Sequence, residues 1–316
     1  MKDKNLQPFF TKNNIPIVFA IDSNFVVYLG VTLESIIKNS SNNNNYDIIV
    51  LSNGLSIYEE NIILNIIKDM NNFNVRFVNV SEYFEGLSLS LNLTHITQAA
   101  YYRFCIPEIC KNYNKVVYLD CDIIVLVDIA DFFNIDIGDN FVLGSPEFGT
   151  IINMNKDEKC FEYHKNVVKL ADPVNNYLQA GVLLFNTKQM IIEDIQSKLF
   201  DSALSNNFNC QTQDPISQVC QGRIKFVDYG WNVLNYLNYR SAETIKKFLP
   251  EKYYKEYLQY QFNPRILHFA SKFKPWYDPT IISADLFWKY ARMLPFYETI
   301  IFKMIENKCS GGNKNI

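Results

Sequence analysis

Apolar and polar positions in the first eighty residues follow two rhythms in turn. Ile15-Pro-Ile-Val-Phe-Ala-Ile21 is a continuous apolar run of strand length, Asp22-Ser-Asn-Phe25 interrupts it, and from Val26 to Ile37 the apolar positions recur at helical spacing. The order of strand, polar loop and helix returns with Tyr46–Leu51 as a strand, Ser56 capping a helix to about Met70, and Asn74–Val80 as a further strand. Such alternation predicts an α/β fold with a parallel sheet covered by helices. Ligands of these sheets bind beyond the carboxyl ends of the strands, which makes Asp22 and Asn24 candidates for a crevice.

Elsewhere the pattern is weaker. Phe148–Tyr177 has mixed polarity and little periodicity, Ser241–Tyr260 reads as an amphipathic helix with a charged face, Asn42–Asn45 as a surface turn, and Gly311–Ile316 as a frayed end. Phe287–Pro295 and Phe302–Ile305 are apolar with few cations, which favours a terminal helix packed on the domain over a membrane-seeking one, with a peripheral membrane contact left open.

The stretch that departs most from its surroundings is Val116-Val-Tyr-Leu-Asp-Cys-Asp-Ile-Ile-Val125, a strand-forming apolar run carrying two carboxylates. Ionised Asp120 and Asp122 at the end of a buried strand need a cation or hydrogen bonds to offset desolvation. In an extended chain residues i and i+2 point to the same side, so both can converge on one object about 6–7 Å along the strand. A hard divalent cation, magnesium or manganese, shared with a substrate's phosphates meets that requirement. A solvated strand-end turn is the alternative. His268, leaving the apolar Arg265-Ile-Leu, can close a metal site, and an imidazole beside two carboxylates suits manganese better than magnesium. Lys272 or Lys274 can then neutralise phosphate.

Composition narrows the classes. The chain has 316 residues, 48% of them hydrophobic, enough for a large core. A net charge of −3, from 30 Lys and Arg against 33 Asp and Glu, leaves no basic footprint for nucleic acid. No glycine loop of the Walker type is present, which argues against a kinase-like reading. The amino terminus lacks a signal-like apolar core and no segment has the uninterrupted apolar length of a membrane span, so a cytoplasmic protein is expected. Seven cysteines without zinc-type spacing read as reduced core residues.

Six segments, in order, resemble glycosyltransferase family eight: Val18–Asn24, Tyr101–Phe104, Val117–Asp122, Tyr177–Asn186, Gln213-Asp214 and His268–Trp276. The bacterial members that extend lipopolysaccharide or lipooligosaccharide look closest. The resemblance implies a GT-A fold, α/β with a mixed, largely parallel central sheet flanked by helices. It sets a catalytic domain at 15–280 between an N-terminal extension, 1–14, and a helical tail, 281–316. It also implies a retaining transfer of galactose or glucose from a UDP-sugar to a glycan acceptor, including a lipid-linked one, with Mn2+ as cofactor or Mg2+ in its place.

By the same resemblance Asp120, Asp122 and His268 ligate the metal. Ala20, Asp22, Asn24, Phe25, Arg103, Asp120, Cys121, Glu147, Gln179, Ser271 and Lys274 bind the donor, with Phe25 stacking on uracil and Lys274 reaching the diphosphate. His95 falls near the acceptor. Gln213 sits nearest the reacting carbon, and Asp214 would orient sugar hydroxyls. An amide does not readily form a glycosyl ester, so front-side displacement is favoured over the two-carboxylate route of retaining glycosidases.

The chain departs from the family pattern at Thr212, where an acid is usual, at Gln179 in place of asparagine, and at Ser271 in place of glycine. A degenerate transferase fold that binds UDP-sugar without turnover is the alternative these departures keep open. Phosphohydrolases of the haloacid dehalogenase type also place Asp-x-Asp after a strand. There a Thr or Val normally stands where this chain has Ile124, and the His268 segment has no role.

Overall fold

In the computed structural model, which describes residues 6–89 and 97–312, with backbone alone for 307–312, the apolar runs form ten strands. These are β1 Asn14–Ala20, β2 Asn45–Ser52, β3 Phe73–Asn79, β4 Val116–Leu119, β5 Ile123–Val125, β6 Val142–Pro146, β7 Leu178–Phe185, β8 Ile224–Phe226, β9 Val233–Leu234 and β10 Ile266–His268. Among the described residues the central sheet has seven strands in the order β3-β2-β1-β4-β7-β6-β8, and only β7 runs against the rest. The sheet is therefore mixed and largely parallel. Ile15, Ile17, Phe19 and Ile21 face one core and Val18 and Ala20 the other. Burial on both faces explains why β1 reads as a continuous apolar run rather than an alternating one.

The helices that matter for the site are α1 Val26–Asn39, α2 Ile57–Ile67, α3 Phe148–Lys156, α4 Glu158–Asn166, α5 Ile195–Ser205, α6 Gln213–Cys220, α7 Glu251–Tyr260, α8 Ala284–Ala291 and α9 Tyr297–Gly312. Ser56 caps α2 through a reciprocal box with Glu59, as its position before the helix suggests. Two expectations change. Phe148–Tyr177 holds α3, α4 and a further turn at Pro173–Asn176, each capped by an acid, Glu147, Asp157 or Asp172. Their shortness hides the helical period. Ser241–Tyr260 is two helices, Ala242–Phe248 and α7, because Pro250 holds Leu249 extended.

The run Val116–Val125 is not one strand. β4 belongs to the seven-stranded sheet, whereas β5 joins a three-stranded sheet in the order β5-β10-β9. Asp120 N–H still donates to Gly181 O, within β7, at 2.8 Å, and Asp122 O accepts from Phe269 N–H, just beyond β10, at 2.9 Å. The two acids thus stand where the chain steps from one sheet to the other.

Helix α1 fastens this step. Buried Thr32 donates its hydroxyl to Cys121 O and Ile123 O, both at 2.9 Å, Ser35 Oγ accepts from Val125 N–H at 3.0 Å, and Asn39 Nδ2 donates to Val125 O at 2.9 Å. Spacings of three and four put these side chains on one helix face, and they satisfy backbone groups that no strand reaches on that side. Phe287, Trp288 and Tyr290 of α8 are buried. In α9, Ile300 is buried and Tyr297, Ile301 and Met304 pack against the same core, so this helix rests on the domain as expected, while Phe302 on its outer side is 64% exposed. Residues after Gly312 lie outside the described residues, as does His95. Among the described residues no helix is long and apolar enough to cross a membrane.

Thr32→Val keeps the shape of the side chain but strands two buried carbonyls. It is expected to lower unfolding free energy by about 1–3 kcal/mol, read from urea unfolding followed by circular dichroism. An unchanged midpoint would show that α1 does not hold the sheet junction.

Candidate active site

Three strand ends meet in one cavity. β4 delivers Asp120, the entry to β5 delivers Asp122, and the end of β10 delivers His268, with one ligand atom from each lying within 4.8 Å of the others. His268 Nε2 is 3.2 Å from Asp122 Oδ1 and 3.9 Å from Asp120 Oδ2. The opposite oxygens are already engaged. Asp120 Oδ1 accepts from Arg103 Nη2 at 3.0 Å and from the Tyr118 hydroxyl at 2.6 Å. Asp122 Oδ2 accepts from Lys274 Nζ, which also donates to Phe269 O at 2.6 Å. One oxygen of each acid is therefore anchored and the other faces the imidazole.

The electrostatics follow from this pairing. Burial opposes ionisation of Asp122, but Lys274 and His268 outweigh it and hold its carboxyl well below the usual carboxylate range. Arg103 is buried, with Nε on Ala100 O at 2.8 Å and Nη1 on Ala180 O at 2.6 Å. Its guanidinium carbon lies 4.5 Å from the centre of the Tyr118 ring. Burial disfavours its charge, yet Asp120 and its neighbours leave its pKa raised.

Two oxygens and an imidazole nitrogen are the donor set of a hard or borderline divalent cation. The backbone leaves room for one. A Cβ on Gly181 would lie 2.4 Å from His268 Cε1 and 2.7 Å from Asp120 Oδ2, so only glycine lets β7 pass beneath the cluster. The residues fit a divalent metal.

Around this floor the cavity is lined by Ala20, Asp22, Phe25, Arg103, Cys121, Gln179, Gln213, Ser271 and Lys274, all singled out from sequence. Asp22 follows β1 by two residues and caps the next turn, its Oδ1 accepting from Asn24 N–H at 2.9 Å. Asn24 itself is exposed on that turn and does not line the cavity. Phe25 stands edge-on to Trp276, with ring centres 6.3 Å apart, and Trp276 stacks on Tyr28 at 4.0 Å. Half-buried Phe25 is thus braced by an aromatic pair. Ser271 has a φ of 74°, in the left-handed region that glycine adopts without strain.

Two of the expected residues lie behind the wall. Glu147 is buried as the cap of α3, accepting from Gly149 N–H at 3.2 Å and also from Thr150 N–H and the Tyr236 hydroxyl. Asp214 is fully buried. Its carboxylate accepts from the hydroxyls of Tyr163 and Tyr177, both at 2.6 Å, and from Cys210 N–H at 3.0 Å. These bonds fix the 209–214 turn that carries Gln213 into the cavity, where Gln213 Oε1 accepts from Ala180 N–H at 3.0 Å.

Tyr118, Gly181 and Asn232 contribute to the cluster without having been chosen from sequence as site residues. Tyr118 carried a readable signal, since it precedes Asp120 by two in a strand and shares its side. Asn232 carried none, because only the fold brings it beside His268.

Comparison with known proteins agrees with this geometry. The model of Glycosyl transferase family 8 matches residues 16–280. A relative from Haemophilus influenzae is 27% identical over 219 residues, covering 68% of this chain and 62% of its own. The bifunctional glycosyltransferase WbbM superposes with a TM-score of 0.82 at 25% identity, covering 94% of this chain and 53% of that one. The galactosyltransferase LgtC, solved with donor and acceptor sugar analogues, gives a TM-score of 0.73 at 25% identity, covering 89% of this chain and 96% of that one. The chain thus spans under two thirds of the Haemophilus relative and about half of WbbM.

Gly181→Ala should force His268 or Asp120 aside and destabilise the fold by about 1–3 kcal/mol. Thermal melting and Mn2+ titration by electron paramagnetic resonance would show a lower midpoint and weaker metal binding. Unaltered metal binding would mean that the cation does not use this cluster.

Proposed function

The chain belongs to glycosyl transferase family 8, and from that membership we propose that it is a retaining transferase moving galactose or glucose from a UDP-sugar to a hydroxyl of a glycan acceptor. The observation that carries the proposal is the convergence of Asp120 Oδ2, Asp122 Oδ1 and His268 Nε2 on one point of the cavity floor. These three residues would hold Mn2+, or Mg2+ in its place. When bound, the cation supplies Lewis-acid stabilisation of the charge that develops on the leaving diphosphate.

Charge balance supports a diphosphate partner. Arg103 and Lys274 each pair with one of the two acids, so the four ionised side chains sum to zero. A divalent cation added to that set leaves two positive charges at the mouth of the site, which the diphosphate of a UDP-sugar matches. Phe25, braced by Trp276, offers a flat face to the uracil ring, and Asp22 stands beside it. Ala20, Cys121 and Ser271 shape the donor cavity, with Gln179 at its sugar end.

The route of retention follows from what faces the sugar. Gln213 presents an amide, and its oxygen uses one lone pair on Ala180 N–H, keeping the second for positive character at the anomeric carbon. Asp214 is committed to two tyrosine hydroxyls and a backbone N–H, so its part is to hold the turn that positions Gln213. Front-side displacement fits these roles. The acceptor oxygen bonds to the anomeric carbon, the bond from that carbon to the phosphate oxygen breaks, and the acceptor's proton passes to the departing phosphate. Glu147, buried behind α3, would act on the donor only through the backbone it caps. The acceptor is proposed to be a glycan, lipid-linked or free, with a cytoplasmic setting that suits the free thiols of the described cysteines.

UDP release from a panel of UDP-sugars in the presence of Mn2+ tests this reading. One UDP-hexose is expected to turn over, with Asp122→Ala slower by about 100-fold or more. Equal rates for the variant and the wild-type protein would refute the metal role. Gln213→Ala should lower transfer while leaving Mn2+ and UDP binding intact, and an undiminished transfer rate would remove Gln213 from the chemistry.

A further inference from the structure

A metal-binding histidine must offer a lone pair, and in neutral imidazole only one of the two ring nitrogens has it. Which nitrogen carries the proton at His268 can be traced from a group whose polarity is fixed. The backbone N–H of Gly181 is a donor and cannot be otherwise. It meets a side-chain atom of Gln179 at 2.6 Å, which must therefore be the amide oxygen. That same oxygen lies 2.6 Å from the amide of Asn232, which must then donate with Nδ2 and turn its own oxygen the other way. Asn232 Oδ1 faces His268 Nδ1 at 2.9 Å, and an acceptor there requires Nδ1 to bear the proton. When the ring is neutral, Nε2, the atom directed at Asp120 and Asp122, is then the nitrogen that holds the lone pair.

Every group in this chain is buried, with Asn232 1% exposed, His268 2% and Gln179 9%. Reversal of either amide would set donor against donor or acceptor against acceptor at some link. A wrong orientation in a buried site leaves polar groups unpaired, at a cost comparable to a lost hydrogen bond. Outer partners of this kind fix the orientation and tautomer of metal-bound histidines.

We propose that Asn232 is a positioning residue: oriented by Gln179 and, through it, by the backbone of Gly181, it holds His268 as the Nδ1–H tautomer and presents Nε2 to the cation shared with Asp120 and Asp122. The proposal rests on the reading of that cluster as a cation site. It also gives Gln179 a second duty. Both lone pairs of its oxygen are committed to Gly181 and Asn232, so its Nε2 is the part of the amide left to meet a ligand.

Long-range proton–nitrogen correlation spectra of histidine-labelled, metal-free protein, recorded at a pH high enough for the ring to be neutral, report the tautomer directly. The chain has three histidines, and loss of one set of signals in His268→Asn assigns the relevant ring. Wild-type protein is expected to show Nδ1–H. Asn232→Leu should lose that preference and weaken Mn2+ binding by about 10–100-fold, with thermal melting confirming a folded variant. Should the leucine variant fail to fold, Asn232→Ala replaces it, with the same loss of the Nδ1–H preference expected. Gln179→Glu, which keeps an acceptor oxygen toward Gly181 and Asn232, should retain the tautomer. An Nε2–H tautomer in wild-type protein that binds Mn2+ would overturn the relay alone. Absence of Mn2+ binding by the wild type would overturn the cation site and the relay with it. Unchanged tautomer and affinity in Asn232→Leu would also refute the proposal.

Discussion

Two carboxylates placed where one sheet gives way to another must be neutralised, and much of the surrounding structure answers that requirement. Asp120 and Asp122 stay bonded by their backbones to β7 and to the end of β10, so neither can move without disturbing its own ladder. Arg103 reaches one acid from the segment before β4, and Lys274 reaches the other from the loop after β10. Each cation is itself tied to backbone carbonyls, which keeps it from following its partner into solvent. A charge buried without such partners would be unfavourable by several kcal/mol. With them, each acid is paired with a cation that is itself tied to backbone carbonyls.

Much of the first half was legible because its physics is local. β1, α1, β2, α2 and β3 announce themselves by apolar runs, helical spacing and the box at Ser56 and Glu59, each set within a few neighbouring residues. The metal-type cluster was legible too, since an acid pair in a strand-forming run is conspicuous and His268 ends a similar run. The break between β4 and β5 was not. Its apolar residues are continuous on both sides, and only long-range pairing, with Leu119 opposite Val182 and Ile123 opposite His268, decides which sheet each half joins. Asn232 was illegible for the same reason, as were the short helices of Phe148–Tyr177, whose acid caps outweigh a weak apolar period.

The burial of Asp214 and Glu147 shows how an acid singled out by a resemblance can lie behind the cavity wall. Both are acids that shape backbone: Glu147 caps α3, and Asp214 holds the 209–214 turn through Tyr163, Tyr177 and Cys210. A sequence motif records that a carboxylate is required. It does not record whether the carboxylate faces a ligand or the chain, and that distinction depends on which tyrosines the fold brings within reach. At Ser271 the motif and the fold can be compared in a single number, because a φ of 74° is comfortable for glycine and strained for serine.

The polar stripe of α1 has an effect beyond the molecule itself. A short strand at the border of a small sheet presents a row of open amides and carbonyls, and such a row can recruit a strand from another chain. β5 is such a border strand, paired on one side by β10. Thr32, Ser35 and Asn39 occupy its other side with bonds that an intruding strand would have to displace. The strand that opens beside Asp122 is thereby closed to intermolecular pairing, and a segment rich in isoleucine and valine can lie next to an open cavity without seeding aggregation.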